Sequence, residues 1–432
     1  MLRGRLKFRV WYVPVAIVLL VVVVYVTAVL VGKGRLERRI EGLQARGLPT
    51  SYEELEALYK LPEGVENAAD TYERAFGLVI RAPAAVSNGM PITGTGVLAD
   101  DRGPLDPNVI SGLKSHLQTN ARALQLLHEA AAIKECRYRR EFTGTFPMLP
   151  VLSEIRRSVQ LLAEQVIYYA CQGQDDLVCR SLADQFALSR SLSENLTLID
   201  QLVRIACISL SISSVEQAVN RASLTDEQLL WLQGELERIA SEDRMKKALT
   251  GERCVVIENM NNPQADPAVR IFRYTGMLGA NIDVLLQTID DYDAILELPA
   301  HERPRKLEEV QKEVEDMSML YALASMAGLS FPRIIEIDLR VGASVDCARV
   351  AVAVERYRES TGKLPDTLDE LVGDYIEEIP LDPFDGKPLR YKRTERGFVV
   401  YHIGEDGIDN GGKSRDYDDR DAPYDYPFEV RR

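Results

Sequence analysis

The sequence predicts a mostly α protein with an N-terminal transmembrane helix, an all-α domain of helical hairpins or a bundle, and a small α+β domain carrying a short antiparallel sheet. Three observations predict this. Val10 to Val31 is an uncharged run of 22 residues. From Pro107 to about Leu329 apolar residues recur at helical spacing, punctuated by Pro150, Gly173, Pro263 and Pro304. After Pro332 one helix gives way to two short strand-like runs. The expected parts are a cytoplasmic tail (1–9), the transmembrane helix (10–31), a juxtamembrane linker (32–49), the all-α domain (50–332) and the α+β domain (333–432).

The first element follows from length. At about 1.5 Å per residue the apolar run reaches roughly 33 Å, enough for a hydrocarbon core of about 30 Å. Trp11 and Tyr12 stand at its start, where amphipathic rings favour the headgroup boundary, and Pro14 falls in the first turn of the span. A cleaved signal peptide is the competing reading, and Val26-Thr27-Ala28 fits its cleavage site loosely. The apolar run continues through Val29-Leu30-Val31, so an uncleaved anchor is expected. Lys and Arg number 52 against 66 Asp and Glu, a net charge of −14. The short tail is almost purely basic (Arg3, Arg5, Lys7, Arg9), whereas the chain beyond residue 46 is strongly acidic. That asymmetry predicts the tail in the cytoplasm and the bulk outside, in the inner membrane facing the periplasm. An acidic body without a basic face excludes a nucleic-acid partner.

The linker 32–49 is charged, partly helical and closed by Gly47-Leu48-Pro49. Thr50-Ser51-Tyr52-Glu53 reads as a capping box opening a helix, and a second short helix runs from Asn67 to Leu78. Pro83, Pro91, Pro104 and Pro107 make 82–107 a long loop. Helices are expected over 107–135, 151–172, 175–195, 198–221, 225–240, 242–261, 267–295 and 303–329. Short links imply antiparallel neighbours. The stretch ACQGQDDLVCRSLADQFALS resembles the inter-helix turn of a tetratricopeptide repeat, but no 34-residue period recurs around it. A long helix over 333–360, a short one over 367–372, strands over 389–393 and 398–403, and an aspartate-rich loop tail complete the reading.

The six cysteines (Cys136, Cys171, Cys179, Cys207, Cys254, Cys347) form no CxxC pair, which excludes a zinc ribbon. Cys171 and Cys179 bracket a turn and could face each other across a hairpin; buried free thiols are the favoured reading. Catalytic signatures are thin. His116, His128, His301 and His402 make no HExxH, and neither GxSxG nor a Walker A motif is present. Gly94-Thr95-Gly96-Val97-Leu98-Ala99 matches the dinucleotide fingerprint as a string only, without a preceding strand. The polar clusters at 258–262 and 290–293 read as solvated faces. The sequence predicts no enzyme.

The C-terminal stretch carries a family resemblance. ARVAVAVERYRESTGKLPDTLDELV, then IPLDPFDGKP with LRYK, then YHIGEDGIDNGG with DYDDRD, is similar to the globular domain of the major pseudopilins of type II secretion. Phe384 stands where that family has Trp, and Gly4 is followed by Arg5-Leu6-Lys7-Phe8-Arg9 instead of a prepilin cleavage sequence. The resemblance therefore implies the module, not polymerisation into a pseudopilus. It implies a calcium loop with Asp406 and Asp418 as side-chain ligands, backbone carbonyls near Ile403 assisting, and Asp409 and Asp416 as further candidates. Calcium takes six to eight oxygens, which glycine-rich loops supply by folding carbonyls inward. An EF-hand is excluded, because aligning its glycine with Gly411 puts Ile408 at a ligand position. The expected function is a membrane-anchored envelope scaffold with an envelope protein partner. The alternatives are an accessory component of a type II secretion or pilus-like machine and an envelope hydrolase using carboxylates of the all-α domain.

Overall fold

The computed structural model describes residues 3–90, 103–143, 149–260, 262, 267–415, 419 and 422–431. The dinucleotide-like string at 94–99 lies outside them. Helix α1 (Arg3–Ala45) is continuous from the basic tail through the apolar run and the linker. Pro14 thus sits inside the helix, not in its first turn. Two short helices follow, α2 (Tyr52–Tyr59) and α3 (Ala68–Phe76), then one turn, α4 (Ala84–Ser87). The cap of α2 is Ser51, whose hydroxyl accepts the Glu54 N–H, while Glu54 reaches back to the Thr50 N–H at 2.6 Å. The cap lies one residue later than the sequence suggested, and Glu54 reaches past the cap residue to the one before it.

The expected helix over 107–135 is two, α5 (Pro107–Thr119) and α6 (Ala121–Ala131), broken at Asn120. The Asn120 amide accepts the Ile80 N–H at 2.8 Å and donates to the Ile80 carbonyl at 3.1 Å. Asn67 grips Arg137 in the same way, at 2.9 Å in both directions. Each side-chain amide serves as a one-residue strand partner, satisfying backbone that has no sheet. The hairpin of α7 (Leu152–Cys171) and α8 (Asp175–Arg190), then α9 (Leu198–Arg221), α10 (Asp226–Ala240) and α11 (Arg244–Asn259), match expectation closely. Thr197 and Thr225 open α9 and α10 with full capping boxes.

Gly276, in the left-handed region at φ +74, splits the expected 267–295 helix into α12 (Pro267–Tyr274) and α13 (Leu278–Leu296). The expected 303–329 helix is α14 (Arg303–Glu315), a 3-10 turn over Met319–Tyr321, and α15 (Ala322–Gly328). The long α16 (Ser330–Thr361) ends at Gly362 and is buried on most faces, packing against α9 and α10 on one side and the sheet on the other. The sheet has antiparallel order β1 (Arg390–Thr394), β2 (Gly397–His402), β3 (Tyr426–Arg431). The third strand lies in what the sequence read as loop tail. Its outer edge is covered by α9: Asn220 donates to the Glu429 carbonyl and accepts the Arg431 N–H, both at 2.8 Å, and Glu216 accepts the Glu429 N–H at 2.8 Å. Edge strands need such cover to avoid pairing with other chains.

One hydrophobic core runs from Leu36 and Leu43 of α1, through Val166, Ile205 and Ile289, to Phe398, Val400 and Val430 of the sheet. A second cluster joins α3, α5, α6 and α7. All six cysteines are free thiols, and Cys136, Cys207, Cys254 and Cys347 are buried.

Candidate functional site

The acidic loop is built on the end of β2. Buried Asp382 accepts N–H groups from Phe384 at 3.0 Å and Ile403 at 2.9 Å, and pairs with Arg390 at 2.7 Å. Its burial raises the carboxyl pKa above the ordinary range. Arg390 also holds Asp385 at 2.5 Å and Asp409 at 3.2 Å. Buried Asp425 accepts the N–H groups of Asn410 at 3.0 Å and Gly412 at 2.7 Å, closing the loop from its far side. The loop is thus tied down by carboxylate-to-backbone bonds of the strong, charge-assisted kind.

Of the four expected calcium ligands, Asp406 is exposed, one oxygen accepting the Ile408 N–H at 3.0 Å. Asp409 is engaged by Arg390, by the Tyr401 hydroxyl at 3.1 Å and by the Gly411 N–H at 2.9 Å. Partial burial opposes ionisation there, but these bonds outweigh it and hold the carboxyl below its ordinary pKa. A carboxylate so committed is poorly placed to take a cation as well, whereas the Asp406 carboxylate is exposed. Asp416 and Asp418 lie outside the described residues. Among the described residues no three His, Cys, Asp or Glu side chains gather closely enough to hold a metal.

Beside the loop, His402 is fully buried between rings: Tyr426 is parallel at 4.8 Å and Phe384 stacks at 5.8 Å. Its Nε2 lies 3.2 Å from the Ser344 hydroxyl, and Nδ1 has no partner among the described residues. Burial, then the positive charges of Arg340 and Arg390, pushes its pKa down to about 3, so the ring is neutral.

Further clefts lie elsewhere among the described residues. One of about 620 Å³ between α5, α6, α7 and α8 presents His128, Tyr168, Tyr169, Arg180, Ser181 and Asp184. His128 Nδ1 is 3.0 Å from Asp184, whose pKa burial raises while the histidine lowers it. Arg180 donates to His128 Nε2, so both ring nitrogens are occupied. Ser181 donates to the Leu177 carbonyl at 2.8 Å and Gln165 at 3.1 Å and makes no bond to the imidazole. An oriented histidine without a nucleophile in reach does not assemble acyl-transfer chemistry. Another cleft, about 340 Å³ between α10, α11 and α16, carries Glu242, Asp243, Asp338 and Asp346. Arg244 neutralises Asp338 at 2.6 Å, and burial raises Asp346 to about 6.

The junction between α1 and the body combines close helix packing with ion pairs. Among the helices long and apolar enough to cross a membrane, the α1 window is 6% buried and the Leu198–Arg221 window 61%. The latter, α9, carries buried Asp200, Gln201 and Arg204 and is a core helix. Beyond its apolar half, α1 crosses α13 closely: a Cβ on Gly32 would lie 2.7 Å from the Ala280 Cβ. Arg39 then reaches Asp283 at 2.7 Å, Gln287 at 2.8 Å and Asp290 at 3.2 Å. Buried Arg253 takes Asp290 at 3.2 Å and Asp293 at 2.8 Å from the other side. The cluster at 290–293, read from the sequence as a solvated face, is therefore an ion-pair hub. Its partners lie some 40 and 250 residues away, beyond any local pattern, just as Asp425 was not singled out by the sequence. Comparison of the chain with protein-family models, with curated proteins and with solved structures finds no match.

Proposed function

We propose that the chain is a membrane-anchored scaffold of the bacterial envelope, single-pass in the inner membrane, with its body outside the cytoplasm and its C-terminal face available to a protein partner. One observation carries this reading. The apolar half of α1 stands exposed along its length while its C-terminal half is locked into the core and the ion pairs of α13. A helix that is hydrophobic all round and unpartnered needs a lipid environment, and its rigid continuation fixes the body at a set height above the bilayer. Protease added to spheroplasts should remove a C-terminal tag, and the mature protein should retain residues 1–31. A tag protected until lysis overturns the orientation, and a mature N-terminus at Val29 overturns the anchor.

The resemblance to pseudopilins adds a calcium-stabilised loop to the reading, through Asp406 and Asp418, and an alternative role as accessory component of a type II secretion or pilus-like machine. Co-purification with secretion proteins distinguishes that role from a separate scaffold. The envelope hydrolase reading, expected of carboxylates in the all-α domain, is supported by the cleft where Glu242 and Asp243 of that domain face Asp338 and Asp346 of α16, with Asp346 raised to about 6. Hydrolysis of ester, glycoside or phosphoester probes lost in Asp346→Asn would support it.

A further inference from the structure

The body does not merely hang from α1 but meets it inside the apolar run. A Cβ on Gly276 would lie 3.3 Å from Val29 and 3.7 Å from the Tyr25 hydroxyl. Val29 is two residues short of Val31, so the contact begins about 3 Å below the end of the span, with the Tyr25 side chain reaching it from deeper. The start of α13 is therefore at the depth of the headgroup and upper acyl region if α1 crosses the bilayer.

Around this point large apolar side chains are exposed together. On α12, which ends two residues before Gly276, Ile271 is 61% and Tyr274 90% exposed. On the 3-10 turn and α15, Met319 is 90%, Leu320 59% and Met326 72% exposed. The elements are joined: α12 packs against α13 and α15. Asn281, in the first turn of α13, donates to the Leu320 carbonyl at 2.8 Å and accepts the Ala324 N–H at 3.3 Å. That bond holds the 3-10 turn at the level where Gly32 crosses Ala280. The segment beginning at Met319 is apolar enough by composition to cross a membrane, with its apolar window one-third buried, yet it is folded back onto α13. Exposed cations lie on α1 and α12: Lys33, paired with Glu37 at 3.9 Å, Arg35 and Arg270.

We propose that α12 and the 319–329 segment form a second membrane contact, dipping into the leaflet on the body's side with Ile271, Tyr274, Met319, Leu320 and Met326 among the acyl chains and the nearby cations at anionic headgroups. Interfacial helices bury an apolar face about 5–10 Å into the boundary between headgroups and acyl chains, the zone in which Gly276 meets Val29. Contiguous apolar patches are rarely left in water, and here continuity with the span names what covers this one. The inference rests on the anchor reading.

The test uses the full chain in vesicles containing phosphatidylglycerol and a lipid brominated in the upper acyl chain. Tryptophan is placed by Tyr274→Trp, Met319→Trp and, as a remote control, Ile408→Trp, each at an exposed position. The parent carries Trp11, in the span, and Trp231. The emission added at 274 and 319 should be roughly halved or more by the brominated lipid, and that added at 408 left unchanged. Equal behaviour at all three positions with the parent's Trp11 signal quenched overturns this inference and leaves the anchor standing. Failure of the brominated lipid to quench the parent overturns both.

Discussion

His402 shows how one buried ring makes stability depend on pH. Its neutral form sits between Phe384 and Tyr426 with Arg340 and Arg390 facing it, and its pKa falls from 6.5 to about 3 on folding. Between those values the unfolded chain binds a proton that the folded one refuses. This residue's contribution is therefore complete above 6.5 and lost as pH falls towards 3. Relative to His402→Phe, which keeps the stacking, the parent should lose up to about 1.4 kcal/mol per pH unit in that window. Denaturant midpoints of both proteins from pH 4 to 7.5 measure it; parallel curves would refute the buried neutral ring. Asp346, raised to about 6, acts in the opposite sense and cancels in the comparison. Glycines give a second residue-scale contrast. A Cβ at Gly251 in α11 would stand 1.6 Å from the Leu196 carbonyl oxygen, whereas one at Gly234 in α10 meets nothing. Gly251→Ala should cost about 3 kcal/mol or more, and Gly234→Ala should gain up to about 1 kcal/mol. The same substitution with opposite signs in thermal melts is the check.

At the scale of elements, two linkages decide behaviour. The crossing of α1 over α13 depends on Gly32 against Ala280. Gly32→Leu should wedge the helices apart, costing about 1–3 kcal/mol and speeding tryptic cleavage after Arg39 and Arg46, without changing membrane retention. Unchanged proteolysis would mean that the anchor is not docked as described. The acidic loop is the second linkage. If Asp406 and Asp418 bind calcium, the full chain should melt a few degrees higher with calcium than with chelator, because saturation 100-fold above Kd adds about 2.7 kcal/mol. Asp406→Ala should abolish the shift, and Asp409→Asn should leave it in place, since Asp409 is held by Arg390. Identical melts of the unmutated chain with and without calcium would remove the site. Where elements begin was mostly legible, because caps such as Thr197 and Thr225 are local chemistry. Where long helices break was not. Asn120 breaks one by gripping Ile80, forty residues earlier, and Gly276 breaks another against α1.

At the scale of the whole molecule the α+β part shares its core with the bundle. Phe398, Val400 and Val430 pack in the same cluster as Ile205 and Ile289, and α9 covers the edge of β3. The C-terminal residues therefore owe part of their stability to helices that precede them by more than two hundred residues. For the same reason the tilt and height of the sheet relative to α1 are set through α16 and α13, rigid elements, not by a flexible linker.

The sequence by itself determined the apolar run of α1, the helical hairpins from α7 to α11, two of the three strands and the glycine–aspartate loop. Each of these is written in spacing, caps or turn residues within a few positions of one another. Only the tertiary structure decided that Asp290 and Asp293 serve Arg253, that Asp409 belongs to Arg390, that Tyr426–Arg431 is a strand, and that Gly276 meets Val29 while Asn281 holds the turn at Leu320. Those outcomes depend on partners distant in the chain. A carboxylate's role is set by the charge that burial places beside it, and a strand's by the edge it finds, neither of which a local pattern records.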